Sequence, residues 1–216
     1  MGVTAIIQAR MNGTRLPGKV LMSMAGKSML KHVIDRVAEA KLVDKVVVAT
    51  CYPGGVAIAG HCETWGVQCW CDDNEHDVLR RYIAAAQWCG AKVIVRVCAD
   101  SPLIKPEGID ELIIAYYANP ADYVGYESKP RVPAITQGLG YVAEVTTLDA
   151  LQRSDKWMAS DDKRREHVTQ MLYTDERFTC HWLPLPDWYK TIRPKKAAVD
   201  TMEDFRRVAA VLEEST

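Results

Sequence analysis

The order of apolar and amphipathic segments predicts an α/β fold for this 216-residue chain, with a largely parallel sheet that has helices on both faces. Short apolar runs indicate buried strands at 3–8, 45–49, 67–71 and 92–97. Amphipathic stretches lie between these runs, and this alternation is typical of parallel sheets. Because such sheets bind ligands beyond the carboxyl ends of their strands, the residues that follow each strand are the first candidates for function.

Apolar residues at helical spacing indicate the helices that connect the strands. A helix after the first strand is indicated by Met29, Leu30, Val33, Ile34 and Val37. Another after the third strand is indicated by Val78, Leu79, Tyr82, Ile83 and Ala86. A final helix is indicated by Met202, Phe205, Val208 and Leu212. Thr201, with Asp204 three residues later, is predicted to form a variant of the capping box at the start of this helix.

Length and composition favour a single domain that spans residues 1–216. The regular alternation stops beyond the middle of the chain, where proline and glycine are frequent. We interpret about 127–175 as an excursion from the core that serves acceptor binding, dimerisation or both. Trp157, Met158 and Tyr173 are expected to be exposed in it, so the excursion is a candidate dimer interface.

The charge balance and the cysteine content limit the classes of protein to which the chain can belong. Lys and Arg number 27 against 28 Asp and Glu, and this balance argues against a nucleic-acid-binding protein. No run of 18 apolar residues is present and the N-terminus is predicted as a strand, so we expect a soluble, cytoplasmic protein with no membrane partner. The odd number of cysteines, seven, favours reduced thiols. Cys69 and Cys71 share one face of a predicted strand, which favours core packing over a zinc site.

The segment 8–21, Gln-Ala-Arg-Met-Asn-Gly-Thr-Arg-Leu-Pro-Gly-Lys-Val-Leu, carries the strongest functional signal. It follows the first predicted strand and contains two glycines and three cations, Arg10, Arg15 and Lys19. Glycine lets backbone N–H groups approach a ligand, and Arg and Lys donate charge-assisted hydrogen bonds. The pattern favours a polyphosphate-binding loop, and a solvated basic turn stays open as the alternative.

A Walker A phosphate loop is the obvious rival, because Gly13, Gly18 and Lys19 match the first seven positions of its motif. In that motif the next residue is Ser or Thr and a helix begins there. Here Val20 follows, and Gly26 arrives too soon for a helix that starts at Lys19. The segment is therefore not a Walker A loop.

Two carboxylates follow predicted strands elsewhere in the chain. Asp100 comes just after the strand at 92–97, and Pro102 turns the chain beyond it. Asp200 follows another short apolar stretch. Oxygen ligands at such positions suit a divalent cation that bridges nucleotide phosphates. Structural roles stay open for both residues: Asp100 as the cap of a turn, and Asp200 as the N-terminal cap of the final helix.

Segment 8–21 resembles the N-terminal signature of the cytidylyltransferases that make CMP-activated sugars, including the acylneuraminate and 3-deoxy-manno-octulosonate enzymes. It is most similar to the spore-coat polysaccharide branch, whose signature reads roughly Q-A-R-x-x-S-x-R-L-P-G-K-V-L. Thr14 replaces the serine and keeps a hydroxyl. In that family the loop wraps the triphosphate of CTP, and the lysine that matches Lys19 neutralises charge at the reacting phosphate.

Further motifs extend the resemblance over about residues 3–212. Asp100-Ser-Pro-Leu and Val199-Asp-Thr-Met-Glu-Asp are similar to the family segments that supply two metal ligands. Weaker matches lie at 77–82 and 165–169. Solvated side chains stay open as the alternative for Arg80 and Arg81, and an ordinary helix-surface or core position stays open for His167. The resemblance implies a Rossmann-like nucleotidyltransferase fold (GT-A-like) with a mixed sheet flanked by helices on both faces.

The resemblance also implies roles for individual residues. It implies Lys19, Arg10 and Asp100 as catalytic residues, and Asp100 and Asp200 as ligands of Mg²⁺. Nucleotide binding is implied for Gln8, Ala9, Arg10, Gly13, Thr14, Arg15, Lys19, Asp72, Arg81 and Asp100. Acceptor binding is implied for Glu144, His167 and Gln137.

The chain departs from the family in the segment where substrate identity is decided. Gln137–Glu144 is two residues longer than the corresponding family segment and has Val142 at the acidic position. The acceptor therefore stays open between a sugar acid and a small molecule that carries a phosphate or a phosphonate.

The function expected from the resemblance is magnesium-dependent transfer of CMP from CTP to a small-molecule acceptor, with release of pyrophosphate, by a homodimer. A nucleotide-sugar glycosyltransferase is the alternative enzyme, but that class usually has a D-x-D motif where this chain has Asp100-Ser-Pro. A non-catalytic nucleotide-binding subunit is the alternative from another class. The joint presence of Lys19, Asp100 and Asp200 argues against it, and a pyrophosphate assay separates the two.

Overall fold

The computed structural model describes residues 2–214 and places a large sheet between two layers of helices. The strands are β1 (Val3–Gln8), β2 (Ser23–Met24), β3 (Lys27–Ser28), β4 (Lys45–Cys51), β5 (Gln68–Asp72), β6 (Val93–Cys98), β7 (Tyr123–Lys129), β8 (Val132–Pro133), β9 (Glu144–Thr147) and β10 (Cys180–Pro184). The helices are α1 (Met29–Ala38), α2 (Gly55–Thr64), α3 (Val78–Cys89), α4 (Pro106–Ala118), α5 (Leu148–Trp157), α6 (Gln170–Thr174), α7 (Asp187–Thr191) and α8 (Met202–Glu213).

The central sheet has eight strands within residues 2–214. Seven of them follow the order β10-β7-β9-β6-β1-β4-β5, and β8 pairs with β7. β1 is parallel to β4 and β6, β4 is parallel to β5, and β9 is antiparallel to both β6 and β7. The sheet is therefore mixed, as the family resemblance implied. Periodicity alone predicted a largely parallel sheet, because the sequence of the short β9 does not indicate its direction.

The four strands predicted from apolar runs are confirmed as β1, β4, β5 and β6, with bounds that differ by at most two residues. Both faces of these strands are covered. In β1, Ala5 and Ile7 pack into one core, and Ile6 packs into the other. Each fully buried Ile or Leu side chain of this kind stabilises the fold by about 1.5–3 kcal/mol.

The helices divide between two hydrophobic cores. α1, α2, α4 and α8 pack on one face of the sheet, and α3, α5 and α6 pack on the other. The predicted apolar positions of α1 are all buried in the first core. Met202 was expected on the apolar face of α8 but is 39% exposed. It is the first residue of α8, and it lies outside the core that Phe205, Val208 and Leu212 join.

Helices α3 and α8 both begin with side-chain caps. At α3, Oδ1 of Asp77 accepts the N–H of Arg80 at 3.0 Å. At α8, Oγ1 of Thr201 accepts the N–H of Asp204 at 3.2 Å, and the Asp204 carboxylate accepts the N–H of Thr201 at 2.9 Å. The predicted capping box is thus confirmed. Because Thr201 is the cap, Asp200 is not, and its carboxylate is directed to other partners.

Two of the three side chains expected to be exposed in segment 127–175 are not. Met158 is buried in the second core, and Tyr173 is half-buried with its ring 5.3 Å from that of Tyr123. Trp157 is 42% exposed, and the Arg177 guanidinium lies 4.1 Å from its ring centroid. The segment has few regular repeats, so its sequence did not show which side chains face the core.

The cysteines are free thiols, and several pack against apolar side chains. Cys62 is buried in the first core, where Cys69 packs against it. Within residues 2–214 no three His, Cys, Asp or Glu side chains are grouped so as to hold a metal ion. None of the helices in this part of the chain has the length and apolarity needed to cross a membrane.

Candidate active site

A cavity of about 540 Å³ opens where β1 and β6 end. Eleven of the site residues expected from the sequence line it: Gln8, Ala9, Arg10, Gly13, Thr14, Arg15, Lys19, Arg81, Asp100, His167 and Asp200. Asp72, Gln137 and Glu144 do not line it. The fold therefore brings the cationic loop, both carboxylates and one acceptor candidate into a single space.

The loop after β1 is shaped by short backbone contacts. Gly18 has a φ of 72°, which favours glycine, and its N–H donates to the carbonyl oxygen of Met11 at 2.7 Å. A Cβ at Gly13 would lie 2.9 Å from the carbonyl oxygen of Leu16, so this position also requires glycine. The chain then enters a short 3₁₀ helix whose first residue is Lys19. The two glycines thus place the lysine beside the cavity.

The Lys19 ammonium lies between two carboxylates from distant parts of the chain. Its Nζ is 3.2 Å from Oδ1 of Asp200 and 3.9 Å from Oδ2 of Asp100. The same nitrogen donates to the carbonyl oxygen of Val199 at 2.5 Å. Arg15 adds a second cation, 2.9 Å from Oδ2 of Asp200. The N–H of Val199 donates to the carbonyl oxygen of Asp100 at 2.8 Å, which joins the two carboxylate-bearing segments.

The carboxylate of Asp100 is electrostatically perturbed. Burial raises its pKa above the ordinary value; the Lys19 ammonium opposes this shift, and the neighbouring Asp200 carboxylate adds to it. A cation near both carboxylates would relieve their mutual repulsion, and anions would be attracted to Arg10, Arg15 and Lys19. The arrangement suits a ligand that brings phosphate groups and a divalent cation together.

The segment around Glu166 also lines the cavity and contacts the cationic loop. NH2 of Arg10 is 3.2 Å from Oε1 of Glu166. The segment is anchored by Arg165, which is buried and bonds to Asp77 at 2.7 Å and to Asp155 at 2.6 Å. Arg165 therefore has a structural role, and the residues that follow it are held against the cavity.

His167 is positioned by a strained turn. The next residue, Val168, has φ 52° and ψ −66°, which is rare for a β-branched residue. The N–H of Thr169 donates to the carbonyl oxygen of His167 at 2.6 Å, so the three residues form a γ-turn. Burial of Val168 and a hydrogen bond from Thr169 to Glu144 at 2.9 Å hold the turn in place. The turn keeps His167 on the wall of the cavity.

Arg81 and Asp72 act on the loop between β5 and α3. NH2 of the buried Arg81 donates to the carbonyl oxygens of Asn74 and Glu75, at 3.0 and 2.7 Å. Oδ1 of Asp72 accepts the N–H of Asn74 at 2.9 Å. The Arg81 side chain is 1% exposed, so the alternative that it is solvated is wrong. Both residues fix the backbone of the loop at 72–77.

A chain of buried polar side chains lies at one side of the cavity. Oε2 of Glu144 accepts from NH1 of Arg96 at 2.5 Å and from Oγ1 of Thr169 at 2.9 Å. NH2 of Arg96 donates to Oε1 of Gln8 at 3.2 Å. Arg96 lines the cavity, whereas Glu144 is 0% exposed and contacts it through the arginine.

The sequence interpretation missed Arg96, Thr169, Gln170 and Tyr173, of which all but Thr169 line the cavity. The one available signal was a lone arginine inside the apolar strand β6. Its meaning depends on the pairing of Arg96 with Glu144 across β6 and β9, which sequence spacing does not reveal.

Gln137 lies at an adjoining cavity of about 530 Å³ that Arg15 and Asp200 also line. Its Nε2 donates to Oγ1 of Thr136 at 2.9 Å, and Thr136 lines both cavities. The basic residues Lys196 and Arg207 border the same space. Gln137 is therefore on the side of the site where Arg15 and Asp200 lie.

The model of the cytidylyltransferase family matches residues 4–210, a range that includes the cationic loop, Asp100 and Asp200. The chain belongs to the cytidylyltransferase family. It is therefore an enzyme of the nucleotidyltransferase type, and the resemblance drawn from segment 8–21 is confirmed.

Three relatives illustrate the range of this cytidylyltransferase's similarities. An uncharacterized protein of Methanocaldococcus jannaschii is 32% identical over 209 residues, which cover 95% of this chain and 81% of that protein. A 3-deoxy-manno-octulosonate cytidylyltransferase of Geotalea daltonii is 37% identical over 231 residues, with 98% and 90% covered. The spore coat polysaccharide biosynthesis protein SpsF of Bacillus subtilis is 27% identical over 216 residues, with 97% and 86% covered.

Solved structures show the same fold. A cytidylyltransferase from Leptospira borgpetersenii has a TM-score of 0.80 at 24% identity, covering 95% of this chain and 84% of that one. A CMP:2-keto-3-deoxy-manno-octonic acid synthetase, solved with CTP, has a TM-score of 0.77 at 18% identity, with both chains fully covered. A Mycobacterium tuberculosis protein solved with manganese has a TM-score of 0.67 at 15% identity, covering 97% and 99%. These likenesses establish the Rossmann-like nucleotidyltransferase fold.

Proposed function

We propose that this cytidylyltransferase transfers CMP from CTP to an oxygen of a small acceptor and releases pyrophosphate, with a bound divalent cation. The observation that carries the proposal is the position of Lys19 between Asp100 and Asp200. The acceptor oxygen attacks the α-phosphorus in line. The bond from that phosphorus to the bridging oxygen breaks, and its electron pair leaves with pyrophosphate.

The cationic loop binds the triphosphate. Arg10 and Arg15 hold the phosphate oxygens, and the backbone from Ala9 to Thr14 lies close to them because Gly13 has no side chain. Lys19 neutralises the negative charge that grows at the reacting phosphate in the transition state. Its side chain is only 14% exposed, so this contact is stronger than it would be in water.

The carboxylates fit a magnesium ion by their chemistry. Asp100 and Asp200 offer hard oxygen ligands on two sides of one ammonium. Within residues 2–214 no third carboxylate, His or Cys completes a group there, and Mg²⁺ is usually held by one or two carboxylates together with substrate phosphates and water. When bound, the cation supplies neutralisation of phosphate charge. The neighbour solved with manganese supports a divalent cation.

CTP is the proposed nucleotide, and the neighbour solved with CTP supports this choice. The cytosine base lies toward the loop at 72–77. Asp72 and Arg81 fix the backbone of this loop by hydrogen bonds. Both residues therefore act on the nucleotide through the loop. A rigid set of backbone donors is what selection of one pyrimidine over another requires.

The acceptor occupies the half of the cavity bordered by His167, Gln170 and Tyr173. The name of the Geotalea daltonii relative supports a keto sugar acid, and a phosphate- or phosphonate-bearing molecule remains the alternative class to be assayed. Glu144 acts on this half through Arg96. We also propose a homodimer that pairs through segment 127–175, in which Trp157 is the exposed aromatic residue.

The test is pyrophosphate release from CTP with Mg²⁺ across keto sugar acids (3-deoxy-manno-octulosonate among them), sugar phosphates and phosphonates. At least one acceptor should give release that depends on both the acceptor and the cation. Failure with every acceptor, or release that does not depend on the acceptor, would overturn the proposal.

A further inference from the structure

We infer that Gln8 is a specificity-determining residue that donates a hydrogen bond to an anionic oxygen of the acceptor, and that Arg96, Glu144 and Thr169 are the positioning residues that lock its carboxamide. The inference rests on the proposed function and assigns Gln8 to the acceptor, whereas the family resemblance implied nucleotide binding.

The orientation of the Gln8 carboxamide follows from the chemistry of its neighbour. Arginine has N–H donors and no acceptor. Because NH2 of Arg96 lies 3.2 Å from the Gln8 side chain, the carboxamide oxygen has to face the arginine. The Nε2 group, with two N–H donors, then points elsewhere, and no residue within 2–214 accepts from it. Gln8 lines the cavity, so this group is available to a ligand.

The Arg96 side chain is fixed in turn by a buried carboxylate. NH1 of Arg96 donates to Glu144 at 2.5 Å, and Thr169 donates to the same carboxylate oxygen at 2.9 Å. Glu144 is 0% exposed and Arg96 is 6% exposed, so neither side chain is free to turn away. The contacts run from Thr169 to Glu144, then to Arg96, and then to Gln8. The position of the Gln8 carboxamide therefore depends on the strained turn at Val168.

The direction of the Gln8 side chain places it in the acceptor half. β1 lies between β4 and β6 in the sheet. The loop proposed for the base follows β5, beyond β4, whereas Gln8 is bonded to Arg96 of β6. Its carboxamide is therefore held toward β6 and β9, the side where Tyr173 and Gln170 line the cavity.

The buried network behind Gln8 also contains an unpaired donor. The Nε–H of Arg96 has no hydrogen-bond partner within the described chain, and this atom is itself buried. The Gln8 carboxamide therefore carries the contact with the acceptor, and a donor left unpaired beneath a bound ligand is costly. A carboxylate or phosphoryl oxygen of the acceptor, which accepts and does not donate, fits the Gln8 carboxamide.

The test compares steady-state kinetics of Gln8→Ala with wild type, using the acceptor from the panel that gives the highest kcat/KM. Gln87→Ala is the matched control, because Gln87 is exposed near the end of α3. Gln8→Ala should raise the acceptor KM at least about tenfold and change the CTP KM less than about twofold. The control should match wild type. A rise in the CTP KM equal to or greater than that for the acceptor, or no change in either, would overturn the inference.

The Gln8→Glu variant tests whether the acceptor oxygen that faces Gln8 is anionic or belongs to a hydroxyl. The carboxylate keeps an acceptor for Arg96 but turns an acceptor toward the cavity in place of a donor. Against an anionic acceptor group it should raise the acceptor KM more than Gln8→Ala does, for sugar acids and phosphonates alike. If Gln8→Glu instead has the wild-type KM, the facing group is a hydroxyl and the inference is wrong.

A wild-type enzyme that is inactive with every acceptor would show that the proposed function is wrong. An active wild type with an unaffected Gln8→Ala variant would show that this inference alone is wrong.

Discussion

Lys19 and Asp200 are 181 positions apart in the chain, yet Nζ of the lysine lies 3.2 Å from Oδ1 of the aspartate. The loop after β1 carries one partner, and the segment just before the Thr201 cap of α8 carries the other. Helix α8 has its own cap in Thr201, so the Asp200 carboxylate is free to face the lysine. The contact joins the cationic loop to the Asp200 segment at one end of the cavity.

Replacing Lys19 by methionine tests its role in the chemical step. Charge on the phosphates grows toward the transition state, so kcat should fall by a larger factor than the KM for CTP rises. Lys190→Met is the control, since that side chain is 76% exposed. Steady-state kinetics with CTP as the varied substrate give both values. An increase in KM at constant kcat would show that Lys19 only anchors the ground state.

The buried pair of Arg96 and Glu144 has a measurable consequence for stability. Arg96→Met leaves a buried carboxylate without its cation and should lower the free energy of unfolding by about 3–5 kcal/mol. The double variant Arg96→Met with Glu144→Leu removes both charges and should lose less than the single variant. Urea denaturation followed by circular dichroism measures the two single variants, Arg96→Met and Glu144→Leu, and the double variant. A double variant that loses the sum of the two single losses would show that the pair is not coupled.

The sequence predicted the parts of this molecule that depend on local pattern. Strands β1, β4, β5 and β6, the capping box at Thr201 and the cationic loop all depend on residues that are close together in the chain. The direction of β9 and the contact between Arg96 and Glu144 depend on pairing across the sheet, which spacing does not encode. Met158 was wrongly expected to be exposed because segment 127–175 has few regular repeats that would show which side chains face the core.

Gln8 illustrates a second limit. Its place in a signature segment implied a nucleotide contact, and the orientation of its side chain depends on an arginine from another strand, which the motif does not contain. A motif indicates which residues surround a ligand, whereas cross-strand contacts decide which part of the ligand each one meets.

Selection of the base is the next prediction. In the proposed function the cationic loop contacts the phosphates, so we expect choice among nucleotides to depend on the loop at 72–77. Polar groups left unpaired by the wrong base cost roughly 1–3 kcal/mol each. We expect CTP to be used about ten- to a hundredfold better than UTP in kcat/KM, with purine nucleotides poorer still. Equal or better turnover with ATP or GTP would contradict selection of cytosine and leave nucleotidyl transfer standing.

The oligomeric state is a separate prediction. An interface requires an apolar centre, and in segment 127–175 Trp157 is the residue that meets this need. Light scattering at micromolar protein should give twice the 24.2 kDa mass of the chain. Trp157→Lys should shift the mass toward the monomer, while Trp88→Lys, on the exposed end of α3, should leave it unchanged. A monomeric wild type would rule out the dimer under these conditions.

Pyrophosphate release by Asp100→Asn and Asp200→Asn tests the central claim most directly, because both substitutions keep the shape of the side chain and remove its charge. Asp187→Asn, whose side chain is 92% exposed, is the matched control, and circular dichroism checks that each variant is folded. Loss of a charged metal ligand weakens transition-state stabilisation by several kcal/mol. We therefore expect each site variant to turn over at least about a hundredfold more slowly than wild type, with the control unchanged. Turnover close to wild type in either folded variant would remove that carboxylate from the site and contradict the account.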